Sequence, residues 1–248
     1  MRRCRAMQSV LLPCAALVWL GLQALDAPGA ERKRVELVGK DLSTWQKESG
    51  RWMIVGEARM DPANPKILST SPGTGVLVNG PTGQTGNLLS TSEHGDVEAH
   101  VEFMVPQGSN SGVYFQGRYE IQILDSWKVQ QPKYGDCGGI YERWGEKGGY
   151  EGHAPRVNAS RAPGEWQSFD VVFRAPRFDA NGKKMANAKF VKVVHNGVVI
   201  HENVEVTGPT RAATYERDEK PAGPLMLQGD HGPVAYRNVW LRPLKAGK

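Results

Sequence analysis

The sequence predicts an all-β protein, an antiparallel two-sheet sandwich in one domain. Three observations carry that expectation. Several runs alternate apolar and polar residues with period two, the pattern of a strand with one buried face. No segment shows a convincing 3.6-residue apolar period bounded by caps. The 29 Gly and 16 Pro lie scattered without a G-X-Y period, which excludes collagen and suits many turns between short strands.

The elements follow in chain order. Residues 97–105 put Val97, Ala99, Val101, Phe103 and Val105 on one face and Glu98, His100, Glu102 and Met104 on the other. Residues 112–116 and 119–125 form the next two strands, parted at Gly117 and Arg118 by a hairpin-like break. Residues 169–175 alternate again. Residues 190–194 and 198–202 flank His195-Asn196-Gly197. Asn-Gly between apolar runs is a strong hairpin signal, because both central residues of a type I′ turn need positive φ. Residues 224–228 and 234–244 close the chain.

The 248 residues, 40% hydrophobic and 23% charged, are enough for a globular core without staples and exclude a disordered chain. Residues 1–30 read as a secretory signal peptide: Arg2, Arg3 and Arg5, an apolar run from Val10 to Leu25, then small residues, with cleavage near 24–30. The run is broken by Pro13, Gly21 and Gln23 and is short for a membrane span of ~20 residues. Cys14 sits inside the run after Pro13, a poor lipoprotein site, and the Arg2-Arg3 pair lacks the rest of a twin-arginine signal. Cleavage removes three arginines and one aspartate, taking the net charge from +5 to +3. It leaves Cys137 as the lone cysteine, so residues 31–248 must fold without an intrachain disulfide. Bases and acids are interspersed there, which speaks against a nucleic-acid surface.

Long connections separate the strands at 127–165, 176–188 and 208–223. Such loops in a compact domain are often functional. The first spaces Trp127, Tyr134, Tyr141, Trp144 and Tyr150 with glycines.

Four stretches carry a family resemblance: 37–45 (LVGKDLSTW), 110–125 (NSGVYFQGRYEIQILD), 164–166 (GEW) and 227–239 (LQGDHGPVAYRNV). In this order they resemble the 3-keto-disaccharide hydrolase domain family over nearly all of residues 31–248. The resemblance implies a concanavalin A-like jelly-roll sandwich of lectin/glucanase type, a periplasmic or extracellular location, and action on oxidised glycosides.

Within these motifs, Ile121 and Ile123 should face the core, leaving Glu120, Gln122 and Leu124 on the opposite face. In a jelly roll that face of one sheet is the usual sugar groove, where Glu120 and Gln122 would receive hydroxyls. Asp125 is out of phase with Glu120 unless a bulge re-aims it. The Gly-bracketed turn 228–232 carries Gln228, Asp230 and His231, and Arg237 on the following strand could face the same groove. An imidazole suits proton abstraction near neutrality. A ketone at C3 acidifies the C2 proton; its removal lets the enolate expel the C1 substituent, and water can add back. His231 or Glu120 is the expected base. Gln122, Asp125, Tyr141, Gln228, Asp230, Arg237 and Trp127 are the expected substrate contacts. Glu120, Asp125 and His231 could also hold a divalent metal, although the sequence has no HExxH and no paired-Cys motif. Glu98, His100 and Glu102 read as an exposed strand face, and Cys137 as a packed residue. An oxidoreductase producing the 3-keto sugar is the expected functional partner. A non-catalytic carbohydrate-binding module and a two-carboxylate glucanase are the alternatives.

Overall fold

The computed structural model describes residues 33–46 and 50–245, so the expected export segment 1–30 lies outside the described residues. Sixteen strands and no helix occur among them: β1 (Val35–Glu36), β2 (Met53–Met60), β3 (Leu68–Val78), β4 (Leu88–His94), β5 (Val97–Met104), β6 (Asn110–Phe115), β7 (Tyr119–Leu124), β8 (Arg143–Gly145), β9 (Gly148–Tyr150), β10 (Gln167–Arg174), β11 (Arg177–Phe178), β12 (Lys184–Ala186), β13 (Ala188–His195), β14 (Val198–Val206), β15 (Gly223–Leu227) and β16 (Ala235–Pro243). The larger sheet runs β14-β13-β10-β5-β16-β3-β2, with β1 paired to β16. The smaller runs β4-β15-β6-β7. All pairings are antiparallel, and two small hairpins, β8-β9 and β11-β12, stand apart.

The period-two residues build the core as the alternation requires. Val97, Ala99, Val101 and Phe103 of β5 are buried with Phe169, Val171 and Phe173 of β10 from the larger sheet. Val113 and Phe115 of β6, Ile121 and Ile123 of β7, and Leu225 and Leu227 of β15 meet them from the smaller one. Aromatic contacts join the sheets: the ring centroids of Phe115 and Phe173 are 5.1 Å apart, those of Phe115 and Phe190 5.5 Å. This is the face-to-face packing of a jelly-roll sandwich. Asn196 and Gly197 both have positive φ, 51° and 83°, and His195 pairs with Val198 across them, the geometry expected of the Asn-Gly turn.

β7 is the last strand of the smaller sheet, and the long loop covers its free edge. Gln122 N donates to Gly139 O (2.8 Å), Gly138 N to Gln122 O (2.8 Å) and Tyr141 N to Glu120 O (3.2 Å). The edge is thereby blunted, and the loop is brought over the outer face of β6 and β7.

Candidate active site

The floor of the site is the β6-β7 pair. Ile121 and Ile123 point into the core, so Glu120 and Gln122 take the outer face. Tyr114 lies directly opposite Glu120, and Gly112 opposite Gln122. Neighbouring elements fold over this face: Ala213 of the loop 208–222 packs with Tyr114 and Met226. Glu120 is therefore only 3% exposed. Burial pushes its carboxyl up to about 8, nearby Asp230 adds to the shift, and the Tyr114 hydroxyl, hydrogen-bonded to it, opposes them. A carboxyl so placed is mostly protonated at neutral pH and can act as an acid.

One wall is the turn after β15. Asn79 clamps it from inside: its Nδ2 donates to Gly229 O (3.0 Å) and Gly232 O (2.8 Å), and its Oδ1 accepts from Val234 N (2.8 Å). Ser109 Oγ adds a bond to Pro233 O (2.7 Å). On this fixed turn His231 Nδ1 lies 2.6 Å from Asp230 Oδ1, with both side chains about half exposed. With Nδ1–H donating to the carboxylate, Nε2 is left as the acceptor.

The opposite wall comes from two loops. Thr210 Oγ1 accepts from Glu120 N (3.1 Å), and Arg211 N donates to Glu142 O (3.1 Å). The Arg211 guanidinium pairs with the buried Glu142 carboxylate (3.2 Å) and lies 4.3 Å from the Trp144 ring centroid. Tyr141 stands beside Tyr134, their rings at 5.7 Å edge to face.

Together these elements enclose a groove of about 450 Å³, mouth included, lined by Asn110, Tyr114, Glu120, Gln122, Tyr141, Arg211, Ala212, Gln228 and His231. The sequence expected Glu120, Gln122, Tyr141, Gln228 and His231 in one place, and all five line this groove, with Asp230 hydrogen-bonded to His231. Oε1 of Gln122 and Oε1 of Gln228 are buried in its wall with no protein partner. The amide of Gln228 reaches the Tyr114 hydroxyl at 3.5 Å.

Three expected contacts are corrected. Asp125 shapes turns: its Oδ2 accepts from Gly108 N (2.8 Å) and its Oδ1 from Trp127 N (3.3 Å). Arg237 lies on β16 of the larger sheet, where it binds Glu102 (2.6 Å) and stacks on Trp166 (4.1 Å). Trp127 is exposed and outside the groove lining, with Lys128 over its ring at 6.0 Å. Without Asp125 the expected metal set falls apart, and among the described residues no three His, Cys, Asp or Glu converge to hold a cation. Glu98, His100 and Glu102 do share the outer face of β5, but partly buried and engaged with Arg242, Asp170 and Arg237. Cys137 is buried, and burial pushes its thiol up to about 12, too high for a nucleophile.

Four lining residues, Asn110, Tyr114, Arg211 and Ala212, were not expected from the sequence, and of these Tyr114 and Arg211 carry ionisable groups. Tyr114 was within reach, since alternation along β6 sets it outward beside Glu120. Arg211 lies in a loop with no period to read.

The site thus joins a buried acid, an imidazole oriented by a carboxylate, a guanidinium and open amide acceptors. Such a set can bind hydroxyls and move protons at a polar ring.

The family model of the 3-keto-alpha-glucoside-1,2-lyase-like domain matches residues 33–242. A candidate glycosyl hydrolase from Parabacteroides distasonis, known from its crystal structure, is 30% identical, with 85% of this chain and 84% of that chain covered and a TM-score of 0.61. Two other candidate glycosyl hydrolases from the same organism share the fold. One is 21% identical (86% of this chain, 100% of that chain, TM-score 0.53) and the other 15% (86%, 94%, TM-score 0.54). None of the curated proteins matches. The expectation drawn from the four sequence motifs is met: the chain belongs to the carbohydrate-active family of 3-keto-alpha-glucoside-1,2-lyase-like domains.

Proposed function

We propose that this protein cleaves 3-keto-α-glucosides by elimination across C1 and C2. Nε2 of His231 takes the C2 proton, which the neighbouring C3 ketone acidifies. The C–H electron pair becomes an enolate at C2–C3. As the C3 carbonyl re-forms, C1–C2 becomes a double bond and the C1–O bond breaks. Its electron pair leaves on the aglycone oxygen, which takes a proton from Glu120. The products are the free aglycone and a 2-hydroxy-3-keto-glycal; addition of water at C1 then completes a net hydrolysis. Arg211 and the Tyr141 hydroxyl supply positive charge and a donor for the enolate oxygen. Gln122 and Gln228 receive the ring hydroxyls.

The observation that carries this reading is a raised, buried carboxyl sharing one groove with a carboxylate-oriented imidazole. Glu120 is the one carboxylate in the lining among the described residues, whereas an ordinary glycosidase needs two opposed ones. No helix among the described residues is long and apolar enough to cross a membrane. The export segment read in the sequence would carry the enzyme to the periplasm or beyond, and its substrate would come from an oxidoreductase acting on the C3 hydroxyl. The test is turnover of methyl 3-keto-α-glucoside beside methyl α-glucoside. Cleavage confined to the keto sugar supports the proposal, and cleavage of the unoxidised glycoside alone overturns it.

A further inference from the structure

A second cavity lies against the larger sheet and shares no residue with the groove. It encloses about 470 Å³, mouth included, where β10 begins. Ser168 of β10, Glu102 of β5 and Arg237 of β16 stand in one cross-strand row along its floor. Arg161 and Trp166, from the loop before β10, join the lining with Gln167. Trp166 ends the stretch 164–166, one of the four sequence motifs, and the elimination chemistry does not use it.

The acceptors of this cavity are engaged within the protein. Glu102 Oε1 accepts from Asn238 Nδ2 (2.9 Å) and Oε2 from Arg237 Nε (2.6 Å). Gln167 Oε1 takes three donors: Arg161 N (2.9 Å), His195 Nε2 (3.0 Å) and Asn196 Nδ2 (3.3 Å). Asn196 Oδ1, also in the lining, accepts from Ser168 N (2.9 Å). His100 is held to one side: its Nδ1 lies 2.6 Å from Asp170 Oδ1, its ring stacks on Trp240 at 5.6 Å, and its Nε2 is buried.

The donors are not engaged in the same way. Arg161 gives one side-chain bond, from Nη1 to Trp166 O (2.8 Å), and has no carboxylate partner among the described residues. Arg237 lies over the Trp166 ring at 4.1 Å and bonds Glu102 through Nε alone, which leaves its two Nη groups. Gln167 is 3% exposed, yet its Nε2 has no protein partner among the described residues. The Arg161 backbone N–H fixes which amide atom is the oxygen, so the open end of Gln167 is a donor.

Two guanidinium groups therefore meet at Trp166 with one carboxylate between them, and the amide left open beside them donates. A guest that brings negative charge and acceptor oxygens matches this set, because the guanidinium fork fits a carboxylate. We infer that the cavity is a second binding site, for a small organic carboxylate the size of one sugar acid. Arg161 and Arg237 hold its carboxylate, and Gln167 Nε2 donates to a neighbouring oxygen. This does not rest on the proposed elimination.

The test titrates glucuronate by calorimetry, at fixed ionic strength, against the full-length parent, Arg161→Ala, Arg161→Lys and the groove variant Arg211→Ala, with thermal melts to establish folding. Kd should weaken ten-fold or more in Arg161→Ala, the loss expected for a charged hydrogen bond. It should fall between in Arg161→Lys, which keeps the charge without the fork, and stay at the parent value in Arg211→Ala. Glucose should bind at least ten-fold more weakly than glucuronate. No binding of glucuronate to the parent, an equal Kd in Arg161→Ala, or a loss confined to Arg211→Ala overturns the inference. Inorganic phosphate binding as tightly as glucuronate, with the same dependence on Arg161, overturns the choice of a carboxylate.

Discussion

Gly112 leaves open the space that the Glu120 carboxyl fills. A β-carbon at position 112 would overlap Glu120 Oε1 and approach Tyr114 Cε2 to 3.0 Å. Its φ is not in the left-handed region, so the requirement is for room, not for backbone freedom. Gly112→Ala should therefore swing the carboxyl out of place and leave the sheet intact. Turnover should fall roughly 100-fold, the usual contribution of a positioned acid. The melting temperature should move by no more than a few degrees. Kinetics with a melt on the same sample check both.

Glu120 also predicts how stability depends on pH. Its folded pKa is about 8 against an ordinary 4.5, so the folded state holds a proton that the unfolded state releases. Stability from this group is full below 4.5 and is lost as pH rises through 8, with a slope of at most about 1.4 kcal/mol per pH unit. Glu120→Gln removes that slope. Urea unfolding at pH 5 and pH 9 should show the variant gaining on the parent at the higher pH.

Three buried histidines set the opposite trend in acid. His94, His195 and His201 are held near 4 by burial, below the ordinary 6.5. Their bonds fit neutral rings: His94 Nε2 accepts from Gln116 N (3.1 Å), and His201 Nε2 lies 2.8 Å from Gly138 O. The unfolded chain takes up protons first, so this stability is full above 6.5 and is lost as pH falls to 4. His201→Gln, which can still donate to Gly138 O, should flatten the acid limb by about one proton. Urea midpoints between pH 7 and pH 5 measure it.

Arg211 lines the groove, whereas Arg237 lies on β16 of the larger sheet. Arg211→Ala should lower kcat roughly 100-fold, as expected for removing a charge aimed at a developing oxyanion. Arg237→Ala should leave kcat at the parent level, because Arg237 is bound to Glu102 and Trp166 outside the groove. Parallel kinetics on the two variants read the difference.

Arg237 shows how far the sequence could be read. Alternation says that Glu120 and Arg237 point away from the core, and both do. It does not say on which sheet, and these two strands lie in different ones, so one side chain enters the groove and the other leaves it. The strands with clean alternation, β5 and β10, and the Asn-Gly hairpin were legible because local pattern and tertiary burial agree. The pair β2-β3 was not. Gly56 and Gly73 approach so closely that a β-carbon on Gly56 would meet Gly73 Cα at 3.0 Å, and Pro72, Gly73 and Gly75 interrupt the apolar run. That stretch reads as turns. Arg211 depends on Glu142 and Trp144 from a distant loop, a contact that no local pattern announces.

The most direct test of the central claim is proton loss at C2. Methyl 3-keto-α-glucoside carrying deuterium at C2 should be cleaved several-fold more slowly than the protonated sugar. The cleavage rate should fall by orders of magnitude in both His231→Ala and Glu120→Gln. No isotope effect together with undiminished turnover in both variants would contradict the account.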